Sequence, residues 1–334
     1  MLVGAQEFLT KSDIVIDTRS PSEYTLSHIP NAINLAVLND AQRQKIGTLY
    51  KQNPFSAKTL GASLICENIA RFLPQLESLQ ITPAKIIGIH CARGGMRSLS
   101  LETILQNIGF RTLRLKDGYK AYRKEVLNAL AKTPRISFFT LIGPTGCGKS
   151  ELIARFENSL DIESFAKHLG SSFGGILGAQ PSVGMFENLL FARLQELENM
   201  QVLIEGESKK LGALVLPNPL YNAYQNGVKI LVSAPLELRI KRIVKVYSAI
   251  DSVFFNQAMQ KIAPFMQKSF WLQAKSAYEK GDLECVAEIL ITRYYDKVYR
   301  IESHAYEVDS SDLDSALKQI REIMAKYLNT PLAQ

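Results

Sequence analysis

Twice in this chain a short apolar, β-rich run ends in a glycine-rich loop that leads straight into a helical pattern, and this repeat leaves few folds open. The first junction is Ile86-Ile87-Gly88-Ile89, then the loop His90-Cys91-Ala92-Arg93-Gly94-Gly95-Met96-Arg97-Ser98, with Ser98 and Glu102 supplying a helix start. The second is the run 136–142, then Gly143-Pro144-Thr145-Gly146-Cys147-Gly148-Lys149-Ser150, then the amphipathic Glu151-Leu152-Ile153-Ala154-Arg155-Phe156. Each reads as strand, loop, helix, the opening of a crossover unit, so each implies a parallel sheet covered by helices. Around the first junction, Asp13–Asp17 and Thr112–Leu115 read as further strands. Leu60–Phe72 and Ser98–Ile108 read as helices, with Ser20 or Ser22 capping a short helix after Pro21. Around the second, 202–204 and 228–232 read as strands. The sequence from Pro235 onward reads as mostly helical. The expectation is therefore α/β throughout: a parallel-sheet domain over residues 1–128, a linker at 129–135 near Pro134, and an α/β domain of the P-loop NTPase kind over 136–334 with a helical C-terminal part.

The first loop concentrates the chemistry of a reactive thiol. Backbone N–H groups at a strand-to-helix turn, the helix dipole, and Arg93 and Arg97 all favour an anion, and they are expected to lower the Cys91 pKa. Cys91 is thus the candidate nucleophile, with Arg93, Gly94, Gly95 and Arg97 holding the anionic part of its substrate. The competing reading is a structural cysteine in a tight turn. The second loop satisfies the pattern Gly, four residues, Gly-Lys-Ser. Gly143, Gly146 and Gly148 would let backbone amides cradle phosphate, Lys149 would reach the terminal phosphates, and Ser150 is a candidate ligand for Mg²⁺. Glu205 and Glu207 end the next apolar run, where an acid orders Mg²⁺ or water, although Asp is the usual residue there. ATP or GTP is the default ligand of such a loop, and no motif specifying either base accompanies it.

At 334 residues the chain accommodates two cores. Its four cysteines (Cys66, Cys91, Cys147, Cys285) show no paired spacing, which argues against a disulfide framework or a zinc site; Cys66 and Cys285 read as packing residues. No run approaches membrane-spanning length, and the N-terminus lacks a basic, then apolar, secretion signal. A cytoplasmic protein with no membrane association is expected. The formal net charge of +7 is lopsided: residues 1–135 hold 18 Lys and Arg against 10 Asp and Glu, while 136–334 hold 21 against 22. The surplus favours an anionic partner such as nucleic acid, though ordinary solubility charge accounts for it nearly as well. Trp271, Arg293, Tyr294, Tyr295, Tyr299 and Arg300 could stack bases between cations, but more often such residues lie over a helical core.

Asp17-Thr18-Arg19-Ser20-Pro21-Ser22-Glu23-Tyr24 with His28-Ile29-Pro30-Asn31-Ala32 resembles the opening signature of rhodanese domains. Cys91 then falls where rhodaneses carry their persulfide-forming cysteine, and Lys116–Tyr122 resembles the closing segment. A rhodanese-like domain fused to a P-loop domain is rarer, and over nearly the whole chain it resembles the tRNA 2-selenouridine synthase family. Further matches are Lys167–Gly174, Gln180-Pro181-Ser182 with Phe186-Glu187, and Glu205–Gly212. Ala92, Leu169 and Lys209-Lys210 depart from residues common in that family, which puts basic contacts around residue 169 in question. The resemblance implies replacement of sulfur by selenium, from selenophosphate, in 2-thiouridine at the tRNA wobble position. It also implies alkylation of that sulfur by geranyl diphosphate to an S-geranyl intermediate. Geranyl diphosphate would offer the phosphate loop the same diphosphate as a nucleotide. The implied partners are this tRNA and the enzyme that makes selenophosphate. Cys91 would take selenium as a selenopersulfide while the loop holds the phosphate left behind.

Two other readings stay open. His90, Cys91 and Arg97 also fit the His-Cys-x5-Arg pattern of cysteine-dependent phosphatases, here with a nucleotide-binding domain attached; such an enzyme needs a general acid, and none is identifiable. Alternatively, the first domain only docks tRNA while Lys149 serves an ATP-dependent kinase, which leaves Cys91 without a use.

Overall fold

The computed structural model describes residues 1–206 and 208–327. Backbone contacts divide the chain into two compact units, one of residues 1–130 with 181–192, the other of 131–180 with 193 onward.

The first unit runs β1 (Leu2–Val3), α1 (Ala5–Lys11), β2 (Ile14–Asp17), α2 (Pro21–Leu26), β3 (Ile33–Asn34), α3 (Asp40–Gln52), α4 (Pro54–Phe72), β4 (Ile86–His90), α5 (Met96–Asn107), β5 (Arg111–Leu115) and α6 (Gly118–Leu130). Its five strands lie in the order β1-β5-β4-β2-β3, all parallel, as the crossover reading requires. Ile16, Ile87 and Ile89 of the central strands are fully buried against Ile65, Ile69, Leu101 and Leu105 from α4 and α5. Helix starts follow local chemistry. Pro21 opens α2 behind Ser20, whose N–H donates to Glu23 (3.1 Å), and the Asn53 side chain caps α4 by accepting from Ser56 N–H (3.0 Å). The start of α5 differs from the sequence expectation: the helix begins at Met96 with Gly95 as cap, and Ser98 lies inside its first turn.

The second unit runs β6 (Ser137–Ile142), α7 (Lys149–Arg155), β7 (Ser159–Leu160) and α8 (Ile162–Ala166). After α9 (Val183–Glu196), which begins in the first unit, come β8 (Gln201–Glu205), the hairpin β9 (Lys210–Leu211) and β10 (Leu214–Val215), α10 (Asn218–Gln225), β11 (Val228–Ser233) and α11 (Leu236–Tyr247). The chain continues through α12 (Ser252–Ile262), α13 (Lys268–Glu279), α14 (Leu283–Leu290), a π turn, α15 (Asp296–Val298), β12 (Tyr306–Asp309) and α16 (Leu313–Tyr327). The parallel sheet has the order β12-β11-β6-β8-β7. One correction concerns the region after Pro235: it is mostly helical, but β12 returns to pair with β11 and closes the sheet edge. Trp271, Tyr294 and Tyr295 pack against the helical core, with Trp271 Nε1–H donating to Met259 O (2.9 Å) and Arg293 lying over Phe270, so the core reading of these residues holds. Cys66 is exposed rather than packed, because it falls on the outer face of α4. Among the described residues, no helix is long and apolar enough to cross a membrane.

The segment 181–192 joins the first unit through specific contacts. Asn188, fully buried, donates to His28 O (2.6 Å), hydrogen-bonds the Tyr119 hydroxyl (2.7 Å) and accepts from Arg123 (2.5 Å), which also pairs with Glu187. Buried polar atoms need such partners, and the sequence carries no local sign that α9 supplies them.

Candidate functional site

Both loops emerge at the C-terminal ends of central parallel strands, where helix N-termini converge and ligands of open α/β sheets bind. In the first unit, β4 ends at His90 and delivers Cys91, which is 3% exposed. The closing segment holds the loop from behind: Tyr119 N–H donates to Cys91 O (2.8 Å) and Lys120 N–H to Ala92 O (3.1 Å). Gly118 has φ +58°, and a Cβ there would stand 2.3 Å from Cys91 O, so this approach requires glycine. Gly94 accepts from Arg114 (2.7 Å). Ser98 Oγ lies 3.3 Å from Cys91 Sγ and 3.1 Å from Gly95 O. Its single proton therefore serves a neutral neighbour or a thiolate.

The two arginines of this loop have different settings. Arg93 is exposed and makes no ion pair or hydrogen bond with the described residues. Arg97 is largely buried and gives Nη1–H to Glu23 (2.6 Å), with Nη2 at 3.4 Å from the other carboxylate oxygen. Burial alone would raise the Glu23 pKa, but the Arg97 hydrogen bond and charge, the Ser20 N–H and Arg43 outweigh it and hold the carboxyl at about 2. Glu23 therefore stays ionised and fixes Arg97. Behind the loop, buried Asp17 and Arg19 form a close ion pair, and Arg19 lies over the Tyr119 ring at 3.8 Å. His90 is fully buried. Burial pushes its pKa below the usual imidazole range against the pull of Asp17 3.8 Å away, so the ring is neutral.

In the second unit, the sheet register sets Leu141 of β6 opposite Glu205 of β8, and the acid follows the strand to the phosphate loop. Glu205 Oε2 accepts from Ser150 Oγ (3.0 Å) while Oε1 is 3.4 Å from Lys149 Nζ. Lys149 also donates to Gly143 O (2.8 Å). The sequence-derived set Gly143, Gly146, Gly148, Lys149, Ser150 and Glu205 is thus brought together; Glu207 lies outside the described residues. Among the described residues, no cluster of three or more His, Cys, Asp or Glu forms a metal cage. A hydroxyl beside a carboxylate is nonetheless the hard-oxygen donor set that Mg²⁺ takes when phosphate completes its shell.

Three further residues approach this loop, none of which the sequence assigned to it, although Tyr299 stood out as a candidate for base stacking. Glu163, 7% exposed on α8, reaches Ser150 Oγ at 3.4 Å. Arg239 of α11 donates to Thr145 O (2.8 Å) and pairs with Asp296; a Cβ on Gly146, at φ +80°, would meet Arg239 O at 2.9 Å and Ile243 at 3.2 Å. Tyr299 sits by Gly143, its phenol pKa raised by burial despite the Lys149 charge. Spacing along the chain does not encode these long-range approaches. Cys147 is buried, which raises its pKa and fits an incidental role.

Beside the loop, α11 and α14 flank a pocket lined by Thr145, Ile243, Tyr247, Phe255, Leu290 and Tyr295 among others. The Tyr247 and Tyr295 side chains hydrogen-bond Ser171, so polar atoms of the lining pair with one another and leave an apolar wall.

Known proteins resemble the chain across both domains. Residues 5–125 match the rhodanese-like domain and residues 136–261 the AAA domain of tRNA 2-selenouridine synthase. A tRNA 2-selenouridine synthase of Psychromonas ingrahamii is 31% identical over 316 residues, covering 93% of this chain and 81% of that one. The one from Hydrogenovibrio crunogenus is 29% identical, covering 94% and 96%, and the one from Nitrosomonas europaea 33%, covering 75% and 67%. With the thiol loop and the phosphate loop each on its expected strand end, and likeness running across both, the chain belongs to the tRNA 2-selenouridine synthase family.

Proposed function

We propose that the protein replaces the sulfur of wobble 2-thiouridine in tRNA by selenium from selenophosphate, through an S-geranyl-2-thiouridine formed with geranyl diphosphate. The first half of this reading rests on family membership and on a Cys91 loop built for an anion. The alkylation half is carried by one observation, the apolar pocket whose lining includes Thr145 of the phosphate loop. A diphosphate seated on the loop amides would have its chain beside that wall, where burial favours hydrocarbon.

In this scheme the uridine sulfur attacks C1 of the geranyl group, the C–O bond breaks, and its electron pair leaves on diphosphate. Lys149 and the loop amides stabilise that charge as it develops. Mg²⁺, where bound, would be held by Ser150 and Glu205 and would add positive charge at the leaving group. Alkylation converts the sulfur into a thiolate leaving group, which opens C2 to selenium. The setting is the cytoplasm, with the selenophosphate-producing enzyme as supplier.

The experiment uses Lys149→Ala, tRNA and nucleoside mass spectrometry. Loss of S-geranyl-2-thiouridine, with selenation restored by tRNA already carrying it and no ATP present, is the expected result. An absolute ATP requirement for that rescue would return the loop to a nucleotide.

A further inference from the structure

If the selenium step took the selenopersulfide route, the Cys91 thiolate would attack selenium and the electron pair of the P–Se bond would pass to phosphorus. Selenium in selenophosphate is already at the selenide level, so phosphorus would depart as phosphite, or an oxidant would be needed to restore phosphate. The loop itself suits a different electrophile. From Cys91 to Arg97 it has the length that surrounds a tetrahedral phosphoryl group. Ser98 Oγ stands 3.3 Å from Sγ, placed to donate to a thiolate. Arg97 is clamped by Glu23 through one part of its guanidinium, which carries five N–H donors in all.

We propose that Cys91 is a phosphoryl acceptor: its thiolate attacks the phosphorus of a selenophosphoryl group and releases selenium as the leaving group. The inference rests on the selenophosphate and tRNA of the preceding section. Selenium of selenophosphate first attacks C2 of S-geranyl-2-thiouridine; the C2–Se bond forms, the C2–S bond breaks, and geranylthiolate leaves and takes a proton from solvent. The uridine now carries a Se-phosphoryl group. Cys91 Sγ attacks its phosphorus, the S–P bond forms, and the P–Se bond breaks with its pair going to selenium, giving 2-selenouridine. Water then attacks the phosphocysteine, the S–P bond returns its pair to Sγ, and phosphate and a proton are released. No atom changes oxidation state.

This leaving group does not require a general acid. Glu23, the carboxylate bound to Arg97, is ionised, so it has no proton to give. An alcohol departing from phosphate would need one, whereas a selenolate conjugated to the uracil ring is weakly basic and leaves without it. Ser98 acts on the second half, since a hydroxyl donating to Sγ stabilises the thiolate as it is expelled.

The test gives the full-length protein S-geranyl-2-thiouridine tRNA and selenophosphate labelled with radiophosphorus and radioselenium, and follows both labels. The expected result is radiophosphorus without radioselenium on the Cys91 peptide, with phosphorus released as phosphate. Ser98→Ala should prolong that adduct by about 10–100-fold, the worth of one hydrogen bond to a charged atom, and Ser98→Thr should restore turnover. Cys91→Ser should leave both labels on the tRNA. Radioselenium without radiophosphorus on Cys91, or phosphite by phosphorus NMR, overturns the proposal, as does unimpaired 2-selenouridine formation by Cys91→Ser. Wild-type protein that puts no selenium into tRNA sinks the preceding reading, and this one with it. Radioselenium that reaches tRNA while neither label reaches Cys91 nor lingers in Cys91→Ser sinks this one alone.

Discussion

In the proposed scheme Cys91 and Lys149 divide the chemistry, each sitting on its own strand end within its own unit. Without selenophosphate, Cys91→Ser is therefore expected to form S-geranyl-2-thiouridine at the wild-type rate by nucleoside mass spectrometry. A rate lowered tenfold or more would place the thiol in alkylation. At this scale the spacing of Gly, Lys and Ser exposed the phosphate loop, since backbone cradles are written in consecutive residues. Glu163 and Arg239 gave no sign of approaching this loop, because they arrive from distant helices whose sequences obey only helix packing, and Tyr299 stood out only as a candidate for base stacking. Arg97 was legible as a loop cation, yet its partner was not: Glu23 lies 74 residues earlier and stands out only as part of the rhodanese-like opening segment. The role of Ser98 changed for the same reason. Its position suggests a cap, but the helix begins two residues before it and leaves the hydroxyl to the thiol.

Between elements, the Glu23–Arg97 pair ties α2 to α5 across the mouth of the thiol loop. A carboxyl near pH 2 in the folded chain, against 4.5 ordinarily, binds fewer protons folded than unfolded between those values. Its contribution is fully present above about pH 4.5 and is lost as pH falls through 2. Unscreened, the shift would correspond to about 3 kcal/mol, and because the carboxyl is only half-buried, solvent screening reduces it to roughly 1–2 kcal/mol. Denaturant titrations from pH 6 to 2.5 should therefore show Glu23→Gln less stable than wild type near pH 6, with the gap narrowing on acidification; a constant gap would remove Glu23 as its cause. Central strands β4, β6, β8 and β11 were visible in the sequence as apolar runs, because both of their faces are covered. Edge strands β1 and β12 were not: β1 has two residues, and β12 alternates exposed and buried positions over only four. Phe186-Glu187 stood out only by resemblance; that they lie on a helix, α9, with partners on α6 is a tertiary fact.

For the whole molecule, the surplus of +8 within residues 1–135 bears on how tRNA is held. If about three phosphates are contacted, raising salt from 50 to 200 mM should weaken tRNA binding by about 20-fold. Filter-binding titrations that moved less than twofold would assign the surplus to solubility instead. The path of the chain has a different consequence. It passes between the two units after residues 130, 180 and 192, not once, because twelve residues from beyond the phosphate loop complete the first unit and supply Asn188 to Tyr119. Cutting after Leu130, where a modular reading would place the scissors, would strip away the group that satisfies His28 O and leave Arg123 without Glu187. The two halves are thus poor candidates for exchange as cassettes. A gene that split them would have to carry the twelve-residue patch across, and a lineage that lost the phosphate loop by simple truncation would unsettle the thiol loop as well.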